Sequence, residues 1–337
     1  MKILISSHAF SPSVGGIETV SDILAREWFR LGHEVRIVTR TQDPFSGLHP
    51  FPVIRKPSGR RLLREVAWCD VFFQNNVSLG TLWAALLLRK PAVITHQTWI
   101  GPGAVGFIKR RALRLARSRV AISRAVAGRI PADQVIPNPY RDDLFHPVEQ
   151  EARQGDILFV GRLVADKGCD LLLDAVALLA SRGLHPGVSL VGAGPLEPRL
   201  RERVTDLGLA AQVSWKGSLE GEGLVREYRS HRILAVPSRW EEPFGIVALE
   251  GIACGCRVVA SDAGGLPEAI GPCGRLFRAG DPRSLADVLE AELLHPEDQD
   301  AAAAMHLHLH RPATVSAEYL SLFTRLINSR QNPEALG

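Results

Sequence analysis

Short apolar segments alternate with longer helical patterns from the first residues of this chain onward. Residues 3–5 and 35–38 are short apolar runs, and between them apolar residues recur every three or four positions: Ile17, Val20, Leu24, Trp28 and Leu31. That spacing puts one apolar face on a helix, and Gly32 suits the position just after its end. Two short strands joined through such a helix predict a βαβ unit with parallel strands.

The same rhythm continues along the chain with one interruption. Further apolar runs predict strands at 71–73, 92–95, 120–122, 135–136, 157–160, 188–191, 213–215, 233–236 and 258–260. Residues 137–155 contain three prolines and no periodic apolar pattern, as is typical of a connection between domains. The 337 residues also exceed what one hydrophobic core usually organises.

We therefore predict an α/β protein with two Rossmann-like, doubly wound parallel-sheet domains at 1–150 and 151–312. A C-terminal helix within 313–337 should dock back on one of them through apolar residues at helical spacing: Leu320, Phe323, Leu326 and Ile327. Ligands bind at the carboxyl ends of the strands in such folds, so two facing domains would line a cleft.

Composition narrows the class of protein. Hydrophobic residues make up 46% and charged residues 23%, which is ordinary globular usage. The N-terminus turns polar after five residues, and no run approaches the about 20 apolar residues of a membrane-spanning helix. With five cysteines and no CxxC spacing, we expect reduced thiols in a cytoplasmic protein, neither secreted nor integral to a membrane.

The charge is divided unevenly. Residues 1–150 contain 21 Lys and Arg against 11 Asp and Glu, and the remainder contains 19 against 25. The halves thus carry +10 and −6, which predicts an anionic partner for the first half and focused local groups for any phosphate bound by the second.

Residues 242–250 are the most informative segment, with the sequence EPFGIVALE. Pro243 suits the first turn of a helix, so the amides of Phe244, Gly245 and Ile246 should be unpaired donors that can hold a phosphate. Glu242 would precede this helix and Glu250 would lie two turns inside it, at a separation that suits a sugar and a ribose. Taken alone, two such acids are more often a solvated acid and a helix-internal one.

Glycines and cations follow other predicted strands. Gly161-Arg162-Leu163 and Lys167-Gly168 come after the strand at 157–160, and their two cations could neutralise a pyrophosphate leaving group. In isolation, an Arg and a Lys after a strand are more often surface charges. Two further pairs of glycines predict tight strand-to-helix turns close to a ligand: Gly15 and Gly16 after the first strand, and Gly192 with Gly194 after the strand at 188–191.

These motifs together resemble glycosyltransferase family 4, whose fold is called GT-B. The resemblance spans essentially the whole chain and rests on segments in a specific order: GGIE, GRLxxxKG, GAGP, EPFGIVALE and ASDAGGLPE. It implies transfer with retention of anomeric configuration, a nucleotide diphosphate sugar held mainly by the second domain, and an acceptor held mainly by the first. The chain departs from the usual family pattern at 97–99 and at Pro139, which leaves the acceptor side open.

The resemblance also implies roles for individual residues. Glu250 would bind the ribose hydroxyls and Glu242 the hydroxyls of the donor sugar, while Arg162 and Lys167 would hold the diphosphate. Gly16 would lie against the phosphate or the transferred sugar. His96, at the end of the strand at 92–95, would lie beside the donor sugar, although a histidine there is more often structural.

The implied mechanism needs no protein nucleophile, because the leaving diphosphate helps to deprotonate the acceptor hydroxyl. Electrostatic stabilisation of that diphosphate by Arg162 and Lys167 then supplies much of the catalysis. The sequence has no Asp-x-Asp near a strand end, so we expect neither a metal ion nor another cofactor.

A basic segment in the first half predicts a further partner. Residues 107–119 read as a basic amphipathic helix, with cations at Lys109, Arg110, Arg111, Arg114 and Arg117. It predicts contact with an anionic membrane, at the inner face, or with a phosphate-bearing acceptor; the alternative is a solvated helix face. His306, His308 and His310 lack acidic or cysteine partners, so no metal site is expected, and no nucleic-acid module is present in the sequence.

We therefore predict a retaining hexosyltransferase that acts on a glycan, glycolipid or lipid-linked acceptor in cell-surface polysaccharide or glycoconjugate synthesis. Three alternatives stay open: a sugar-nucleotide epimerase or phosphorylase of the same fold, a non-catalytic subunit that binds nucleotide sugars, and a nicotinamide-dependent oxidoreductase. The last lacks its G-x-G-x-x-G fingerprint in the first loop. The base, the sugar, the acceptor and the oligomeric state do not follow from these residues.

Overall fold

The structure is a computed structural model that describes residues 1–13, 15–42, 49–147, 153–296 and 300–331. The chain divides into two compact units. The first comprises Met1–Pro139 with the segment from His310 onward, and the second comprises Tyr140–Leu309. Each unit is built around one parallel β-sheet.

The described residues of the first unit form a seven-stranded sheet flanked by helices. Its elements in chain order are β1 (Lys2–Ser7), α1 (Gly16–Arg30), β2 (Glu34–Thr39), β3 (Val53–Arg55), α2 (Gly59–Trp68), β4 (Val71–Asn75), α3 (Leu79–Leu87), β5 (Ala92–His96), α4 (Ala104–Leu113), β6 (Ser118–Ala121), α5 (Arg124–Ala127) and β7 (Gln134–Val135). The strand order is β3-β2-β1-β4-β5-β6-β7, and all pairs are parallel.

The described residues of the second unit repeat this plan with six strands. Its elements are β8 (Gly155–Val160), a 3-10 turn (Ala165–Lys167), α6 (Cys169–Ser181), β9 (Val188–Val191), α7 (Glu197–Asp206), β10 (Val213–Gly217), α8 (Gly221–Ser230), β11 (His231–Val236), α9 (Ile246–Ala253), β12 (Arg257–Ser261), α10 (Leu266–Ile270), β13 (Gly274–Phe277), α11 (Pro282–Leu294) and α12 (Asp300–Leu309). The order is β10-β9-β8-β11-β12-β13, again all parallel. The predicted pair of Rossmann-like parallel-sheet domains is confirmed.

The last helix, α13 (Pro312–Gln331), belongs to the first unit and packs against α1. Aromatic rings carry this contact: the Trp28 ring meets Phe73 edge-on at 5.2 Å between centroids and Phe323 at 5.2 Å. The hydroxyl groups of Tyr319 and Thr95 lie 3.1 Å apart, so α13 is tied to β5 as well. All five of these side chains are buried.

The units divide at Pro139–Tyr140 and at Leu309–His310. The sequence placed these divisions at 150/151, which lies outside the described residues, and at 312/313. Tyr140 and Phe145 are buried, and the ring of Phe145 packs edge-on against Tyr228 at 5.7 Å. The proline-containing segment after Pro139 therefore already contributes to the core of the second unit.

All five cysteines lie within the described residues, where they are buried and unpaired. Burial raises the pKa of Cys169 and of Cys256 to about 12. These thiols are thus protonated core residues rather than reactive groups.

Candidate active site

The candidate site of the second unit lies at the carboxyl ends of β8 and β11. These neighbouring strands occupy the centre of the sheet, where the strand order changes direction. The connections that leave them run to opposite sides, which opens a crevice between the two loops. One loop carries Arg162 and Lys167, and the other carries Glu242.

Backbone contacts lock these two loops together. The carbonyl of Asp166 accepts hydrogen bonds from the amides of Arg239 and Trp240, at 2.9 and 3.2 Å. Gly168 has a φ of 66°, and a Cβ there would overlap the carbonyl oxygen of Pro237. Only glycine allows this close approach. Gly168 therefore fixes the backbone position of the neighbouring Lys167.

Lys167 and Glu242 form an ion pair across the crevice. The Nζ of Lys167 lies 2.7 Å from Oε1 of Glu242, and the same oxygen accepts from the Ser238 hydroxyl at 2.5 Å. The side chains are only 28% and 14% exposed. Arg162 is exposed, and its guanidinium has no partner among the described residues. Since an ammonium has three donors, Lys167 keeps two of them for a ligand.

The turn after β9 supports the loop of Arg162. The amide of Leu163 donates to the carbonyl of Ala193 at 3.0 Å. A Cβ on Gly192 would overlap the carbonyl oxygen of Gly161, and one on Gly194 would overlap that of Leu163. Both glycines are thus required by contact with protein backbone. Their predicted contact with the nucleotide stays a prediction.

The start of α9 differs from the prediction. The helix begins at Ile246 with Gly245 as its N-cap at a φ of 119°, so Pro243 and Phe244 precede the helix instead of forming its first turn. The amide of Ala248 already donates to the carbonyl of Gly245 at 3.0 Å. By helix geometry, the first-turn amides without an intrahelical acceptor are therefore those of Ile246 and Val247, not of Phe244.

The loop after β12 explains this late start. The amide of Gly265 donates to the carbonyl of Glu242 at 2.7 Å, and side chains on Gly264 or Gly265 would overlap the carbonyls of Glu242 and Pro243. The two glycines of ASDAGGLPE thus hold the EPF segment outside the helix. They also fix the backbone of Glu242.

Glu250 lies one turn into α9, rather than two. Its Oε2 accepts a hydrogen bond from the Tyr228 hydroxyl at 2.9 Å. Burial raises the pKa of Glu250 to about 7, while the Tyr228 hydrogen bond and the charge of Arg141 oppose that rise. Sequence reasoning missed Tyr228, because a single tyrosine on a preceding helix has no motif; it also passed over Ser238.

In the first unit, Gly15 and Gly16 lie where the loop after β1 meets α1. Gly15 precedes α1, which starts at the exposed Gly16, and a Cβ on Gly15 would come within 2.7 Å of the Glu18 carboxylate. The side-chain amide of Asn75, at the end of β4, donates to the carbonyl of Ile17 at 3.0 Å and so holds this turn on the sheet.

His96 is the last residue of β5 and is fully buried. Neither ring nitrogen has a hydrogen-bond partner among the described residues. Burial, with a smaller contribution from the charge of Arg119, lowers the pKa of His96 to about 4. The ring is therefore neutral at pH 7. In the sheet, β4 separates the strand that ends at His96 from the strand that leads to Gly16.

The basic segment is shorter as a helix than predicted. The helix α4 ends at Leu113 and β6 begins at Ser118, so Arg114 and Arg117 follow the helix. Four apolar side chains in this region are each more than half exposed: Val105, Phe107, Ile108 and Leu115. Of the five cations, Arg110, Arg111, Arg114 and Arg117 are exposed and Lys109 is half-buried. The surface combines exposed apolar and basic side chains.

Two histidines of the 306–310 tract have structural partners. The Nε2 of His306 lies 2.8 Å from the carbonyl oxygen of Ala269, and Nδ1 of His310 lies 3.2 Å from that of Asn138. Within the described ranges, no group of three or more His, Cys, Asp or Glu side chains could hold a metal ion. The described helices include none that is both long and apolar enough to cross a bilayer.

The fold and the matched families identify the class of protein. Two parallel-sheet α/β domains of this kind are found in HepE of Anabaena, solved with UDP and glucose, with a TM-score of 0.77 and 22% identity over 96% of this chain and 100% of that chain. Sucrose-phosphate synthase of Thermosynechococcus elongatus gives 0.80 and 21% identity over 97% and 99%. The fold is that of GT-B glycosyltransferases.

The particular family follows from sequence. The family described as Glycosyltransferase Family 4 matches residues 14–141, and the one described as Glycosyl transferases group 1 matches residues 141–304. This chain belongs to glycosyltransferase family 4. It is 42% identical over 159 residues to D-inositol 3-phosphate glycosyltransferase of Corynebacterium jeikeium, in an alignment that spans 44% of this chain and 36% of that relative. The match thus covers about a third of the relative's length.

Proposed function

We propose that this chain is a metal-independent, retaining glycosyltransferase that moves a sugar from a nucleotide diphosphate sugar to a glycan, glycolipid or lipid-linked acceptor. One observation carries the proposal: Arg162 and the Lys167–Glu242 pair lie on the two loops that leave the central strands of the second sheet. HepE, which shares the fold, was solved with UDP and with UDP-glucose, and this supports a nucleotide sugar as donor.

The residues of the crevice have complementary tasks in this proposal. Arg162 and Lys167 bind the diphosphate and stabilise the charge that grows on it as the glycosidic bond breaks. Glu242 holds Lys167 and accepts hydrogen bonds from hydroxyls of the sugar, while Ser238 fixes its carboxylate. Glu250 accepts from the ribose. The leaving diphosphate takes the proton of the acceptor hydroxyl on the same face.

Two predicted residues of the first unit are assigned to the sugar side. Gly16 lies against the phosphate or the transferred sugar, where its missing side chain allows a close approach. His96 contributes as a neutral imidazole, because its pKa of about 4 excludes a cation at pH 7. Neither residue acts as a nucleophile.

A metal-free turnover assay tests the proposal. The purified chain is incubated with UDP-, GDP- and ADP-sugars in the presence of a chelator, with glycan and lipid-linked acceptors added in turn. We expect free nucleoside diphosphate and an α-linked product from an α-linked donor. A changed nucleotide sugar formed without acceptor indicates an epimerase instead, and nucleotide binding without turnover indicates a binding subunit.

We further propose that the exposed surface of 105–117 contacts an anionic lipid surface or a phosphate-bearing acceptor. Its apolar residues Phe107 and Ile108 would enter the interface, and its arginines would bind lipid phosphates. Flotation with liposomes that contain anionic lipid, at low salt, measures the binding. We expect Arg110→Glu with Arg114→Glu to abolish it.

A matched control reverses two charges in the second unit. Arg199 and Arg226 are exposed there, and their double change to Glu alters the net charge equally. Flotation should survive in this control. Equal loss in both variants would show that net charge, rather than the 105–117 surface, determines binding.

A further inference from the structure

Tyr228 lies on α8 and reaches the carboxylate of Glu250 on α9. Its side chain is fully buried, and its hydroxyl donates to Oε2 of Glu250 at 2.9 Å. The phenol ring packs edge-on against Phe145 at 5.7 Å. Its backbone carbonyl accepts from the Cys256 thiol at 2.9 Å. Contacts of its hydroxyl, its ring and its backbone carbonyl thus hold the tyrosine in place.

This hydrogen bond gives the two carboxylate oxygens of Glu250 different roles. The oxygen Oε2 is committed to Tyr228, and no described residue donates a hydrogen bond to Oε1. Because an ionised carboxylate only accepts, Oε1 suits a ligand hydroxyl. A side chain with one oxygen held by a rigid donor presents its other oxygen in one orientation.

The protonation state of Tyr228 fits this division. Burial, and then the charge of Glu250, raises the pKa of Tyr228 well above its ordinary value, so its hydroxyl remains a donor at working pH. The charged or titratable groups that face Glu250 are Tyr228, Arg141 and Cys254. Burial raises the pKa of Glu250 to about 7, while the Tyr228 hydrogen bond and the charge of Arg141 favour the ionised carboxylate.

We propose that Tyr228 is a positioning residue that holds Glu250 for the ribose and thereby makes the site select ribonucleotides over 2′-deoxyribonucleotides. The proposal rests on the assignment of Glu250 to the ribose in the proposed function. A carboxylate that turned freely would lose orientational freedom when the nucleotide binds, which offsets part of what the ribose hydroxyls contribute. A carboxylate fixed at Oε2 discriminates, because its geometry is set before the nucleotide arrives.

Tyr228→Phe removes the hydroxyl and keeps the ring against Phe145. Calorimetric titration with UDP, GDP and ADP, each beside its 2′-deoxy form, measures the selectivity. We expect the unsubstituted chain to prefer one ribonucleotide over its deoxy form by about tenfold, as for a hydrogen bond to a charged group. In Tyr228→Phe the affinity for the ribonucleotide should fall several-fold, with little change for the deoxy form.

Tyr319→Phe is the matched control. Tyr319 is also fully buried and also pairs its hydroxyl with another side chain, but it lies in the first unit. It should leave the ratio of the two affinities unchanged. If Tyr228→Phe weakens both nucleotides by the same factor, or leaves the ratio intact, the positioning role is wrong.

Other outcomes separate this inference from the proposed function. If no nucleoside diphosphate binds the unsubstituted chain, the proposed function fails, and the inference falls with it. If a nucleoside diphosphate binds without preference for its ribose form, and the chain still transfers sugar from the nucleotide sugar, the proposed function holds. Only the assignment of Glu250, and with it that of Tyr228, is then overturned.

A measurement on the unsubstituted chain covers the case in which Tyr228→Phe does not fold. The chain has 3 tyrosines, so fluorotyrosine labelling gives a small set of fluorine resonances. We expect the Tyr228 resonance to move with the ribonucleotide and to move less with its deoxy form, while Tyr319 stays unchanged. Equal shifts with both nucleotides would contradict the proposal.

Discussion

At the scale of single residues, the pairing of Lys167 with Glu242 changes how the site is understood. Each was predicted separately, one for the diphosphate and one for the sugar. The structure joins them at 2.7 Å and adds the Ser238 hydroxyl to the same carboxylate oxygen. The ammonium is thus oriented by protein before any ligand binds, and such preorganisation gives electrostatic catalysis its strength.

We predict that Lys167→Ala lowers the rate of sugar transfer by at least about a hundredfold and leaves the fold intact, because it removes charge from the leaving diphosphate. A metal-free turnover assay and circular dichroism measure the two effects. Arg199→Ala, which removes an exposed cation on α7, is the control and should retain activity. Full activity of Lys167→Ala would refute the role.

When no ligand is bound, the buried carboxylate of Glu250 lowers the stability of the folded chain at neutral pH. Its pKa is raised to about 7 from an ordinary 4.5, so between these values the folded chain holds a proton that the unfolded chain releases. The contribution of the protonated acid is complete below about pH 4.5 and is lost as the pH rises to about 7.

We therefore predict that Glu250→Gln, which does not titrate, becomes more stable relative to the unsubstituted chain as the pH rises through this window. The change should be at most about 1.4 kcal/mol for each pH unit. Urea unfolding at pH 5 and pH 8 measures it. The same stability difference at both pH values would mean that Glu250 keeps an ordinary pKa. Nucleotide binding should weaken in this variant.

At the scale of elements, sequence periodicity predicted the central strands and the helices beside them, and it failed where tertiary contacts decide. Proline favours the first turn of a helix, yet Gly264 and Gly265 hold Pro243 outside α9. The strands β3 and β13, each at one edge of its sheet, were not predicted, although strands as short as β7 and β9 were. The role of Tyr228 depends on a contact between two helices, which no local pattern carries.

The loop after β8 offers a test at this scale. Gly168→Ala places a side chain against the Pro237 carbonyl at a φ of 66°, so we predict a loss of stability of about 2 kcal/mol or more, together with loss of activity as Lys167 moves. Thermal unfolding and turnover measure these effects.

Gly183→Ala is the control for this change. Gly183 has a φ of 84° and no atom within 4 Å of an added Cβ, so only backbone strain, about 1 kcal/mol, is expected. Activity should persist. Equal behaviour of the two variants would show that the approach of Gly168 to Pro237 has no part in placing Lys167.

At the scale of the whole molecule, the second unit is inserted in the chain between two parts of the first. The second unit is one continuous stretch, Tyr140–Leu309, whereas the first is closed by α13 from the far end of the chain. Apolar spacing at Leu320, Phe323, Leu326 and Ile327 predicted a docking helix, but the choice of unit depends on the shape of the Trp28 and Phe73 cluster. The shape of this aromatic cluster cannot be predicted from the spacing of apolar residues.

We predict that Phe323→Ala destabilises the first unit by about 3–5 kcal/mol, because a fully buried ring leaves a cavity among aromatic neighbours. Hydrogen exchange read by mass spectrometry should show faster exchange in peptides from 1–139 and 310–331, and unchanged exchange in 153–296. Leu289→Ala, in the core of the second unit, should give the reverse pattern. If either variant loosened both units alike, the two cores would be one cooperative structure, and nucleotide affinity would fall in Phe323→Ala as well.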